Sequence, residues 1–129
     1  MQFNILVTGG LYSTQSGYSA LRFCESAVAA GHEISQVFFY QDGVSQASAL
    51  SVAMGDEFDS VECWAKFAEL AKTKLVVCVS AGERRGIIGP EQATEFAKHC
   101  ANLHSSFSVE GLGAFHSASI DSDRTVTFK

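Results

Sequence analysis

Four cysteines, at positions 24, 63, 78 and 100, carry the most versatile chemistry available to this 129-residue chain. They contain no C-x-x-C pair, which argues against a thioredoxin-type dithiol and a zinc knuckle. Cys78 differs from the others in its setting. It follows the apolar run Leu75-Val76-Val77 and precedes the turn Val79-Ser80-Ala81-Gly82-Glu83-Arg84-Arg85-Gly86. The run reads as a strand buried on both faces. In open α/β sheets, reactive groups gather outside the carboxyl ends of strands. A cysteine so placed is a candidate nucleophile for sulfur chemistry, because the thiolate is the attacking species.

The residues after Cys78 suit that role. Ser80-Ala81-Gly82-Glu83 has the S-x-x-E form of a capping box, which predicts a short helix starting at Ser80. The unpaired N–H groups and partial positive charge of a helix N-terminus favour thiolate over thiol. Arg84 or Arg85, folded back, would add to this. The competing reading is a cysteine that fills the core as a small hydrophobe. The local pattern leaves both open.

The elements that must position Cys78 alternate along the chain. Phe3–Thr8 reads as a first buried strand, ended by Gly9-Gly10. The hydroxyl-rich loop Leu11–Gly17 leads into a helix running to about Ala30, with a core face of Leu21, Cys24 and Val28 flanked by Ala20 and Ala27. That loop matches no nucleotide-binding spacing. It is expected beside Cys78, on the premise that the first and third strands are neighbours. Glu33–Tyr40 is the second strand, and Tyr40 and Asp42 are expected to border the same crevice as Cys78.

Val44–Met54 is expected to be helical, and Phe58–Lys72 more clearly so, with a stripe of Phe58, Val61, Ala65 and Ala68 widened by Trp64, Phe67 and Ala71. Cys63 falls at the edge of that stripe. Pro90 fits the first position of a helix whose buried face is Ala93, Phe96, Ala97 and Cys100. His99, Cys100 and His104 lack any further ligand pattern, so no metal site is expected. Phe107–Val109 and Arg124–Phe128 are the last two strands, with a short helix over Ala114–Ile120 between them. Such alternation predicts a single α/β domain: a mostly parallel five-stranded sheet with helices on both faces.

Composition bounds the function. A hydrophobic content of 47% with 18% charged residues is that of a globular domain. A net charge of −5 argues against a broad nucleic-acid footprint. No apolar run approaches the ~20 residues a membrane span needs. The start Met1-Gln2-Phe3-Asn4-Ile5-Leu6-Val7 lacks the features of a signal peptide, so a cytoplasmic protein with free thiols is expected.

The stretches Val7-Thr8-Gly9 with Tyr12, Thr14 and Gln15, then Gly31-His32-Glu33, and Val37–Tyr40 followed by Gly43-Val44 form a pattern. It continues through Cys78-Val79, Ala81, Arg84-Arg85-Gly86, Gly111-Leu112-Gly113 and Asp123-Arg124. Over nearly its whole length the chain resembles the DsrE/TusD family of sulfur-carrier subunits. The resemblance implies a DsrEFH-like fold and a DsrE-like sulfur-transfer domain over residues 1–129. It implies a persulfide on Cys78, taken from a TusA-like donor and passed to a TusE-like acceptor for 2-thiolation of tRNA wobble uridine. Tyr40, Asp42, Ser80, Arg84 and Arg85 would support it.

The resemblance also implies TusB-like and TusC-like paralogous subunits in a dimer of heterotrimers, with no cofactor and no direct contact with nucleic acid or membrane. Ser80, Gly82 and Glu83 depart from the small or apolar residues common in the family, which bears on the polarity around the cysteine. A DsrE-like subunit of a sulfur-oxidation relay would use the same chemistry. A scaffold subunit with a structural Cys78, or a thiol redox sensor with Cys63 as resolving cysteine, are the readings from other classes.

Overall fold

A computed structural model describes all residues, 1–129. Five strands, β1 (Gln2–Val7), β2 (Glu33–Phe39), β3 (Lys74–Cys78), β4 (Phe107–Glu110) and β5 (Arg124–Phe128), form one sheet in the order β4-β3-β2-β1-β5. Every pairing is parallel. The helices are α1 (Ser16–Ala29), α2 (Ser60–Ala71), α3 (Val79–Arg85), α4 (Pro90–Glu95) and α5 (Leu112–Asp121), with a 3-10 helix over Gln41–Ala47.

Alternation along each strand decides which layer it meets. Phe3 packs edge-on against Phe23 of α1, and Phe39 against Trp64 of α2, with ring centroids 5.4 and 5.3 Å apart. The neighbour of Phe39, Phe38, points the other way and meets Phe115 of α5 at 5.4 Å. Three successive strand-to-strand steps move across the sheet in one direction, whereas the step from β4 to β5 runs back from one edge to the other. Right-handed crossovers then put α1 and α2 on one face and α5 on the opposite one. The core between α1, α2 and the sheet is closed by Ile5, Val7, Val37, Phe39, Leu75, Val77 and the fully buried Trp64.

Several sequence expectations are corrected. β1 pairs with β2 and β5, not with β3. The loop after β1 therefore rests on the 3-10 helix, where Leu11 N donates to Ser45 Oγ at 2.7 Å, and does not lie against Cys78. The segment Val44–Met54 is not an α-helix. The 3-10 helix ends at Ala47, Ser48 bridges to Leu103, and Leu50, Val52 and Met54 stand exposed. α4 stops at Glu95, because the chain turns back at Ala97 (φ 52°). That turn brings Asn102 to Ile88 N and Gly86 O, two backbone groups no helix would satisfy. Phe96 and Cys100 are consequently exposed instead of buried. In α1 the buried stripe is Ala20, Leu21, Cys24 and Ala27, with Val28 left at its margin. In α2, Val61, Trp64 and Phe67 carry the burial and Ala65 is only partly covered.

Candidate functional site

β3 runs apolar to its last residue, and Cys78 is that residue. α3 begins at once, at Val79, so Cys78 itself occupies the N-cap position (φ −61°, ψ 122°) and its thiol makes no capping hydrogen bond. The expected S-x-x-E box therefore does not form. Ser80 lies inside the first turn, and Glu83 accepts a hydrogen bond from Gln92 Nε2 at 3.1 Å. The immediate strand-to-helix turn leaves no room for a separate cap. Gly82 permits it, since a Cβ there would stand 2.6 Å from the carbonyl oxygen of Ile87.

Cys78 lies at the base of a cleft of about 270 Å³ lined by Tyr40, Val79, Ser80, Ala81, Arg84, Gly111 and Leu112. Three adjacent strand ends build it: Tyr40 follows β2, Cys78 closes β3, and Gly111-Leu112 follow β4. Cys78 is only 2% exposed, so the sulfur is reached by a slender group and not by a broad surface. A larger cavity of about 490 Å³ lies beyond α3, against Ile88, Phe96, His99, Cys100 and Asn102. It holds a thiol but no strand end, and we place the candidate chemistry in the smaller cleft.

The expected supporting residues separate. Tyr40, Ser80 and Arg84 line the cleft. Arg85 does not, because its Nε donates to Asp42 Oδ1 at 2.8 Å and its Nη1 to Ala81 O at 3.3 Å. Asp42 likewise faces Arg85 and is absent from the cleft lining. This pair ties α3 to the 3-10 helix. That helix is pressed onto β1 at Gly43, where a Cβ would collide with the carbonyl oxygen of Val7. Gly111 and Leu112 line the cleft without having been singled out as site residues. The signal for them was the break after the fourth strand, once that strand is known to neighbour the third.

The remaining thiols are differently placed. Cys24 is fully buried in α1, and burial, aided by the neighbouring Glu25 charge, pushes its pKa up to about 12. Partial burial raises Cys63 as well, against the lowering influence of Lys66. Both shifts favour the unreactive thiol. All four cysteines are free.

The sheet is all-parallel and five-stranded, and Cys78 closes the strand next to one of its edges. The DsrE/DsrF-like family model matches residues 1–128. This chain belongs to that family. Sulfurtransferase TusD of Salmonella paratyphi B is 42% identical over 128 residues, covering 99% of this chain and all of that protein. The crystal structure of the ychN protein from E. coli superposes with a TM-score of 0.76 over 99% of this chain and all of that one. At 15% identity, that likeness concerns the fold.

Proposed function

We propose that this chain relays sulfane sulfur as a persulfide on Cys78. Identity of 42% across the whole length of a curated sulfurtransferase carries the class of activity: the chain is a sulfurtransferase of sulfur-relay type. The observation that carries the residue assignment is the position of Cys78, at a strand's carboxyl end and at the base of a narrow cleft.

The step balances without an oxidant. The Cys78 thiolate attacks the outer sulfur of a donor persulfide, R–S–SH. The donor S–S bond breaks, a new S–S bond forms on Cys78, and the donor leaves as a thiolate. An acceptor thiolate then attacks the outer sulfur of Cys78–SSH and releases the Cys78 thiolate. Arg84, in the lining, supplies positive charge where anionic sulfur arrives and departs. Tyr40 and Ser80 offer hydroxyls to the same space, and Arg85 with Asp42 holds α3 in place.

In this reading residues 1–129 act as one sulfur-transfer domain. The donor is TusA-like, the acceptor TusE-like, and the sulfur is destined for 2-thiolation of tRNA wobble uridine. TusB-like and TusC-like paralogues complete the assembly in the cytoplasm. A narrow cleft favours a donor that presents its persulfide on a flexible tail. No helix is long and apolar enough to cross a membrane.

The test is intact-protein mass spectrometry after incubation with a cysteine desulfurase, cysteine and a TusA-like carrier, with the paralogues present. One added sulfur, about 32 Da, is expected on the wild type and on Cys63→Ser, and none on Cys78→Ser. Absence of sulfur from wild-type Cys78 would replace the relay with a scaffold role.

A further inference from the structure

Lys74 opens β3 and Cys78 closes it, an even number of residues apart, so their side chains leave the same face of the sheet. β4 lies beside β3 in parallel register, with Val76 opposite Ser108 and Cys78 opposite Glu110. In-register residues of neighbouring strands share a face, so Glu110 stands beside Cys78 with about 5 Å between the two backbones. The Glu110 carboxylate nevertheless takes no part in lining the cleft. It turns back along the strands, where Lys74 Nζ lies 2.7 Å from its Oε2. The pair joins opposite ends of the two strands and so runs over Val76, which is fully buried. Glu110 Oε2 is shielded from water and accepts a hydrogen bond from no other group, so the Lys74 ammonium is what balances its charge.

Few other titratable or charged groups surround Cys78. Tyr40 follows β2, Arg84 comes from α3, and both line the cleft. Arg85 and Asp42 pair with each other, and Glu83 is turned to Gln92. The titratable groups of α5, His116 and Asp121, are exposed and line no part of the cleft. Glu110 is the acid whose backbone directly adjoins that of the cysteine. A carboxylate free to swing toward Cys78 would disfavour the thiolate and repel an arriving anionic persulfide. Bound to Lys74, it is drawn away and neutralised.

We infer that the Lys74–Glu110 ion pair keeps Cys78 reactive: Lys74 holds the Glu110 carboxylate away from the sulfur and so keeps the thiolate accessible near neutral pH. Lys74 is a positioning residue that acts on Cys78 through Glu110. This deepens the reading of Cys78 as the sulfur carrier and rests on it. The pair adds little to stability, because its side chains are 53% and 34% exposed, so removing it separates the electrostatic effect from unfolding.

The pH dependence of Cys78 alkylation by iodoacetamide, read by mass spectrometry on the peptide that contains it, tests this in the full chain. Lys74→Met keeps an apolar stem over Val76 and removes the charge. It should raise the apparent pKa of Cys78 by about one pH unit, whereas Lys74→Arg should leave the wild-type profile in place. Lys74→Met combined with Glu110→Gln should return the profile to that of the wild type. In the sulfur-loading assay, Lys74→Met should slow uptake severalfold at neutral pH, and the double variant should restore it. A wild-type alkylation profile in Lys74→Met overturns the inference and leaves the relay standing. A shift that persists in the double variant overturns it too, because Lys74 would then act on the thiol directly. Alkylation needs no sulfur transfer, so the expected shifts in a protein that takes up no sulfur would uphold the control of Cys78 by the pair and overturn the relay.

Discussion

Cys78 and Cys24 are both almost wholly buried cysteines, yet their surroundings differ. Cys78 ends a strand where the sheet opens into a cleft, whereas Cys24 is enclosed between α1 and the sheet. Enclosure makes Cys24 a marker for pH-dependent stability. The unfolded thiol loses its proton near 9.0 and the folded one holds it to about 12. Across that window the folded state binds more protons, so stability falls as pH rises, by about 1.4 kcal/mol per pH unit from this group. Cys24→Ala should start less stable because of the cavity it leaves. Its urea-unfolding free energy should then decline less steeply than the wild type's above pH 9. Equal slopes would show that the buried thiol ionises freely.

At the scale of elements, the short α3 owes its position to its neighbours. Seven residues are too few for an isolated helix, so it is fixed by the turn at Gly82 and by Arg85. The Arg85–Asp42 ion pair is solvent-accessible and adds within about 1 kcal/mol to stability. Its larger effect is to hold the helix that forms one wall of the Cys78 cleft. Arg85→Ala and Asp42→Ala should each slow sulfur uptake by Cys78 severalfold in timed mass spectrometry, with a thermal midpoint close to wild type. An unchanged uptake rate would make the pair a surface contact only.

The molecule as a whole has a thick side and a thin side. α1 and α2 enclose one face of the sheet around Trp64, while the other face has α5 alone. Local opening costs least where little apolar surface is covered. Hydrogen exchange at low protein concentration should therefore show the amides of β1, β2 and β3 most protected, and those of α5 exchanging well before those of α1 and α2. Protection of α5 as strong as that of α2 in the monomer would contradict this account.

Periodicity and punctuation in the chain determined the alternating elements, the five strands and the parallel class. The apolar run ending in a cysteine marked Cys78 as the candidate for the chemistry. These features are local, and the residue pattern states them directly. Tyr40 was legible as a cleft residue because it follows a strand end in the chain. Tertiary structure alone decided which strands are neighbours, and with that whether the first loop or the β4–α5 turn meets Cys78. It separated Arg84 from Arg85, adjacent in the chain but pointing to different partners 100° apart around a helix. It also exposed Cys100, whose helical spacing was sound but whose backbone turned back at Ala97 to satisfy Ile88 and Gly86. Spacing records which faces are apolar. What each face meets depends on contacts distant in the chain, and only the folded molecule brings those together.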